Sequence, residues 1–172
     1  MVGTNETWYG WMDEGFNDYM NILSSAAYRK VPAVLDTLGA SYGETALMES
    51  QAPMMWDNNY GGSFTTYVTY QKAGMMFSML GAMVGDSAVV RAMQGYARTW
   101  RFRHPSPWDF MFAMNRELKQ DLGWFWYYWL WTTESVDGSI ADVTTTGART
   151  VVTVRQDGQM PSPVVLKVQF AP

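Results

Sequence analysis

Near the start of the chain, Phe16, Tyr19, Met20 and Leu23 recur at i, i+3, i+4 and i+7, the spacing of one buried stripe on a helix. This fixes the first long element as a helix from about Asp13 to about Tyr28, followed by a turn at Pro32, with Arg29-Lys30 suiting a helix C-terminus. The step Asp13-Glu14-Gly15 sets a carboxylate at the helix entrance. Glu14 has two uses there: it caps the first turn, where anions are favoured, or it reaches out to bind something. On residue type alone the cap is the better reading.

Helical patterning returns from Tyr67 to Val84 and ends at Gly85-Asp86. A further helix is expected from Ser87 to Trp100, with Val89 or Val90, Met93, Tyr96 and Trp100 on its buried face. Ser106, Pro107 and Asp109 form a helix-start signal of N-cap, first-position proline and first-turn acid. That helix runs to about Lys119. The apolar run Trp124–Trp131 has no readable period. Residues 33–66 are weakly patterned, and Met54–Tyr60 reads as a loop over a cleft. Residues 133–150 turn to Ser, Thr, Asp and Gly. Beyond them, Val151–Arg155 and Val164–Phe170 read as strands joined through a turn at Asp157-Gly158. Two strands alone are marginal, so the hairpin is expected to belong to a larger sheet.

With 48% apolar and 16% charged residues in 172, the chain reads as globular with a substantial core. A net charge of -4 without a Lys/Arg cluster gives no footprint for nucleic acid. The absence of cysteine excludes disulfides and thiolate metal sites. The longest apolar runs fall short of the roughly 20 residues that cross a bilayer, so membrane insertion is not expected. Nine Trp, ten Tyr, eight Phe and fourteen Met point to an aromatic-rich interior or a lost interface.

Two segments carry a resemblance. Thr4-Asn5-Glu6-Thr7-Trp8 with Trp11-Met12-Asp13-Glu14-Gly15-Phe16 resembles the segment that supplies the third zinc ligand in gluzincin peptidases of the membrane alanyl aminopeptidase family. Tyr70-Gln71-Lys72-Ala73-Gly74 resembles that family's Tyr-x-Lys-Gly or Tyr-x-Lys-Pro step. His104–Phe110 and Asp121–Trp131 are similar to segments of bacterial relatives. In the family, His-Glu-x-x-His lies upstream of the ligand Glu, and counting back from Glu14 places it ahead of Met1. The chain therefore resembles a piece of such an enzyme, and the missing N-terminal part of the catalytic domain is its expected partner.

The resemblance implies a mainly α fold: the helical C-terminal half of a thermolysin-like catalytic domain over residues 1–145, then the first strands of a β-sandwich over 146–172. It favours a helix for Trp124–Trp131. It implies zinc-dependent, aminopeptidase-type hydrolysis of peptide substrates in the complete enzyme, with Glu14 as metal ligand and Tyr70 as donor to the oxyanion. Tyr67, one turn earlier, is a weaker candidate for the same cleft, and Lys72 is expected to be exposed or ion-paired. Asp13 is expected to cap the helix. Many family members hold an acid seven positions after the ligand, where this chain has Asn21. The single histidine, His104, is expected to be a structural hydrogen-bonding residue at a helix boundary. The isolated chain is expected neither to retain zinc nor to hydrolyse peptides. Its compartment is open, an extracytoplasmic bacterial parent being the expectation. Two other classes stand beside this one: a non-catalytic helical interaction module with an aromatic-rich surface, and a membrane-surface protein using its Trp/Met-rich helices.

Overall fold

The first long helix forms where the stripe places it. In a computed structural model describing residues 2–34, 42–43, 46, 51–57, 59, 66–164 and 166–169, a short α1 (Glu6–Tyr9) and a 3-10 turn (Gly10–Met12) lead into α2 (Glu14–Arg29). Lys30 ends α2 in the left-handed conformation, its N–H returned to the carbonyls of Ala26 and Ala27. The fully buried face of α2 is Gly15, Tyr19 and Ala26, while Phe16, Met20 and Leu23 are half-buried. The stripe is thus turned slightly from its expected facing, because Gly15 lets the helix lie close against its neighbour.

A π-helical segment (Tyr67–Lys72) runs directly into α3 (Ala73–Val84). The chain then turns at Gly85, whose φ of 92° suits only glycine, and continues as α4 (Asp86–Trp100). Val89 rather than Val90 is the buried valine of α4, with Ala92, Met93 and Tyr96 beside it. α5 (Pro107–Leu118) starts on a complete capping box. Ser106 Oγ accepts from Asp109 N at 3.3 Å, and Asp109 Oδ2 accepts from Ser106 N at 2.8 Å. The aromatic run is helical, as α6 (Gly123–Trp126) and a π-helical continuation (Tyr127–Trp131). No single helix among the described residues is long and apolar enough to cross a membrane.

The core of the helical part is aromatic. Phe110 lies with its ring centroid 4.8 Å from Phe16, 5.2 Å from Tyr96, 5.7 Å from Trp126 and 5.8 Å from both Trp11 and Phe77. α2 reaches α3 through the same cluster, Phe77 lying 5.2 Å from Phe16 and 5.4 Å from Tyr19. Burial of these side chains is the main favourable term holding the helices together.

The chain divides into two units, Met1–Thr133 and Glu134–Pro172. The second holds an antiparallel hairpin of β1 (Gly138–Thr146) and β2 (Arg149–Gln156), paired from Gly138 with Gln156 to Thr146 with Arg149 and interrupted between Ile140 and Asp142. The fold is therefore mainly α with a short C-terminal hairpin. Strand begins at Gly138, and Thr145 and Thr146 both lie in β1.

The hairpin is not the expected one. Val151–Arg155 pairs with the Thr-rich segment before it instead of with Val164–Phe170. Gly147, at φ 61°, makes the tight connection, whereas Pro161 and Pro163 stand before the later run and cannot donate to a ladder. Val164 and residues 166–169 form no strand, and Val165 and Phe170 lie outside the described residues. Asp157-Gly158 follows the hairpin, both amides donating to Asp137 O at 2.9 Å. Most of residues 33–66, including Gly39, Gly61 and Gly62, also lies outside.

Candidate active site

Glu14 is the first residue of α2, with its backbone in the first turn. Asp13 occupies the N-cap position in helical conformation and makes no side-chain capping bond, so the expected cap at Asp13 does not form. The Glu14 carboxylate turns to another segment: its Oε1 accepts a hydrogen bond from Tyr70 Oη. Sequence reasoning put two roles on these residues; the structure brings their side chains together.

Tyr70 sits within the π-helical segment, a widened turn of the kind that often occurs at functional positions. The hydrogen bond to Glu14 raises its phenol to about 12, helped by burial and by the charges of Glu14, Asp18 and Asp13. At neutral pH the hydroxyl is therefore protonated and a donor. The carboxyls of Asp13 and Asp18 are themselves raised, first by burial, then by Glu6 and Glu14 at Asp13 and by Glu14 at Asp18. Negative potential thus gathers where α2 begins, an environment that favours a cation.

The remaining expectations divide. Tyr67 is exposed at the start of its segment. Asn21 is exposed on α2 and lines an open groove with Asp18, Ile22 and Ser25. His104 plays the structural part expected of it, Nδ1 lying 3.0 Å from Gly3 O while Gly3 N donates to Arg103 O at 3.0 Å. The Met54–Tyr60 segment is tied at Met55, whose amide donates to Leu130 O at 3.0 Å, and Asn58 and Tyr60 lie outside the described residues.

Lys72 is a correction. It is not exposed, and among the described residues it has no ion-pair partner: its residue exposure is 0%, its Nζ donates to Thr132 O at 2.9 Å, and it lies 5.8 Å from the Tyr42 ring centroid. Burial pulls its ammonium down to about 8. The signal was in the pattern. Val68, Lys72 and Met76 fall at i, i+4 and i+8, so the lysine stands on the buried stripe of its own helix.

A catalytic zinc ion takes three protein ligands. Among the described residues no group of three His, Cys, Asp or Glu is placed to hold a metal, and the sequence contains one histidine, already engaged with Gly3. These residues do not form a zinc site by themselves.

The model of the peptidase family M1 domain matches residues 2–129. The chain belongs to peptidase family M1. The match spans both the Glu14 and Tyr70 segments and most of the helical unit, and M1 is a family of generally zinc-dependent peptide hydrolases. A comparison with curated proteins returned no match. Within the M1 domain, Gly15 is the residue sequence reasoning passed over. It is buried where α2 meets Thr69, inside the Tyr70 segment, and Ala73, directly after it.

Proposed function

We propose that this chain contributes Glu14 and Tyr70 to the active centre of a zinc-dependent, aminopeptidase-type peptidase. The hydrogen bond from Tyr70 Oη to Glu14 Oε1 carries the reading, since it joins the two family segments at one point. Glu14 is assigned as a carboxylate ligand, with the imidazole ligands and the general base coming from a His-Glu-x-x-His segment that these 172 residues do not contain. In such a centre the metal supplies Lewis acidity and an acidified water. Tyr70 contributes a protonated phenol. With no substrate bound it rests on Glu14; facing a tetrahedral intermediate it donates to the oxyanion, where one well-placed donor contributes about 3 kcal/mol to the transition state.

The reading is tested with the chain itself. Equilibrium dialysis against zinc is expected to leave far less than one equivalent bound, and amino-acyl nitroanilides to remain uncleaved. Adding a peptide that carries the family's His-Glu-x-x-His helix is expected to raise zinc retention, and Glu14→Ala to abolish the rise. Stoichiometric zinc on the chain alone would overturn the incomplete-site assignment, and a rise that survives Glu14→Ala would overturn Glu14 as ligand.

An interaction module is the second reading. It is favoured by Trp108, Phe112, Tyr127 and Trp131, exposed aromatic residues that line one groove between α5 and the aromatic run.

A further inference from the structure

Gly15 is buried at the start of α2, one residue after Glu14. A Cβ built on it would overlap Ala73 Cβ and lie 3.2 Å from Thr69 O and 3.4 Å from Ala73 Cα. Thr69 and Ala73 bracket the turn that presents Tyr70, and both are buried. The close approach and the Tyr70–Glu14 hydrogen bond are therefore neighbouring contacts of one helix crossing. Two side chains at such a crossing keep their separation only if the backbones keep theirs, because a packed interior does not yield a methyl's width without repacking.

We infer that Gly15 and Ala73 form a spacer that sets the reach between Glu14 and Tyr70, making Gly15 a positioning residue for the peptidase centre. One methyl is accommodated at the crossing, and Ala73 supplies it. The inference rests on the reading of Glu14 and Tyr70 given above for its functional meaning, but its geometry stands apart from that reading. A second methyl at position 15 pushes α2 away from the Tyr70 segment, and the phenol then loses its carboxylate. Moving the methyl from one helix to the other restores the total volume and brings the hydroxyl back.

The measurement is the Cζ resonance of Tyr70 in protein labelled at tyrosine Cζ, assigned by its loss in Tyr70→Phe and recorded at neutral pH. Glu14→Ala defines the position of the resonance without the carboxylate. Gly15→Ala is expected to move the signal most of the way to that position, and Gly15→Ala/Ala73→Gly to return it towards wild type. Ala113→Gly, a buried α5 substitution away from the crossing, is expected to lower the melting temperature and leave the Tyr70 signal in place. If Gly15→Ala does not fold, a folded double variant with the wild-type signal supports the spacer. A folded Gly15→Ala with an unmoved signal overturns it, as does a double variant that is unfolded or shifted as far as the single one. Zinc retention in the helix-peptide experiment reports on the peptidase reading separately, because the resonance needs no metal.

Discussion

Replacing Lys72 by Met tests how a charge is carried in the interior of the helical unit. The two side chains are similar in length, so the substitution removes the ammonium with little change in packing. The folded chain holds the Lys72 ammonium at about 8 against an ordinary 10.5, through burial. That gap corresponds to about 3 kcal/mol disfavouring the charged form in the folded state. Below about pH 8 the folded protein bears this cost in full. Between about 8 and 10.5 the unfolded chain still holds a proton that the folded chain has released, so stability rises with pH across that window. The neutral amine keeps its hydrogen bond to Thr132 O, worth about 1 kcal/mol.

Lys72→Met is therefore expected to be more stable than wild type at pH 7 by about 2 kcal/mol and about as stable as wild type near pH 10, where roughly 1 kcal/mol of the penalty remains and is offset by the hydrogen bond. Urea unfolding followed by far-ultraviolet circular dichroism, which reports the helices, reads both values. Above pH 10 the tyrosines act in the opposite sense. Tyr19 and Tyr42 are raised to about 12, chiefly by burial, so the stability they contribute is present below pH 10 and is lost as pH climbs towards 12. These terms are common to both proteins and cancel in the difference. A difference that stays constant from pH 7 to 10 would refute the reasoning, since it would mean that Lys72 titrates alike in folded and unfolded chains.

Two further substitutions probe the frame. Ser106→Ala removes the acceptor for Asp109 N and one side of the capping box, and is expected to cost about 1 kcal/mol, seen as a melting temperature lower by about 4 °C. Phe110→Ala empties the position shared by the rings of Phe16, Phe77, Tyr96, Trp11 and Trp126. It is expected to cost about 4 kcal/mol in urea unfolding; a loss below 1 kcal/mol would show that Phe110 is not the centre of the core.

What the sequence made legible follows how far apart the interacting groups lie. The α5 capping box is visible in the letters because Ser106 and Asp109 are three residues apart and complete each other. The α2 stripe declares a helix but not its rotation, which is decided by Gly15 against Ala73 on another segment. Lys72 was misjudged because residue type was weighed above position: its stripe is apolar, and its acceptor, Thr132 O, is sixty residues away. The hairpin was misjudged because the turn signal at Asp157-Gly158 outweighed the prolines that follow it, while Gly147 was passed over. Glu14 stood out as a carboxylate at a helix entrance, but its binding role over the cap, and Tyr70 altogether, came only through family resemblance, since no spacing rule joins positions 56 apart.

The Tyr70–Glu14 contact is a consequence of apolar packing more than of its own energy. Phe16 and Tyr19 on α2 both lie against Phe77 on α3, and each such ring pair adds about 1 kcal/mol beyond burial. These two anchors fix α2 along its axis and in rotation, and Gly15 fixes its distance from the Tyr70 segment. Glu14, the next residue outward, is left with little freedom beyond its side-chain rotamers. On the other side, Lys72 ties the end of the Tyr70 segment to Thr132 at the close of the aromatic run, so the turn that presents the phenol is held at its C-terminal end. A carboxylate and a donor placed this way have their geometry set before any ligand arrives, which is what a preorganised centre requires. The polar pair can therefore be exchanged for other chemistry without dissolving the crossing, whereas a methyl at Gly15 cannot be added without moving it.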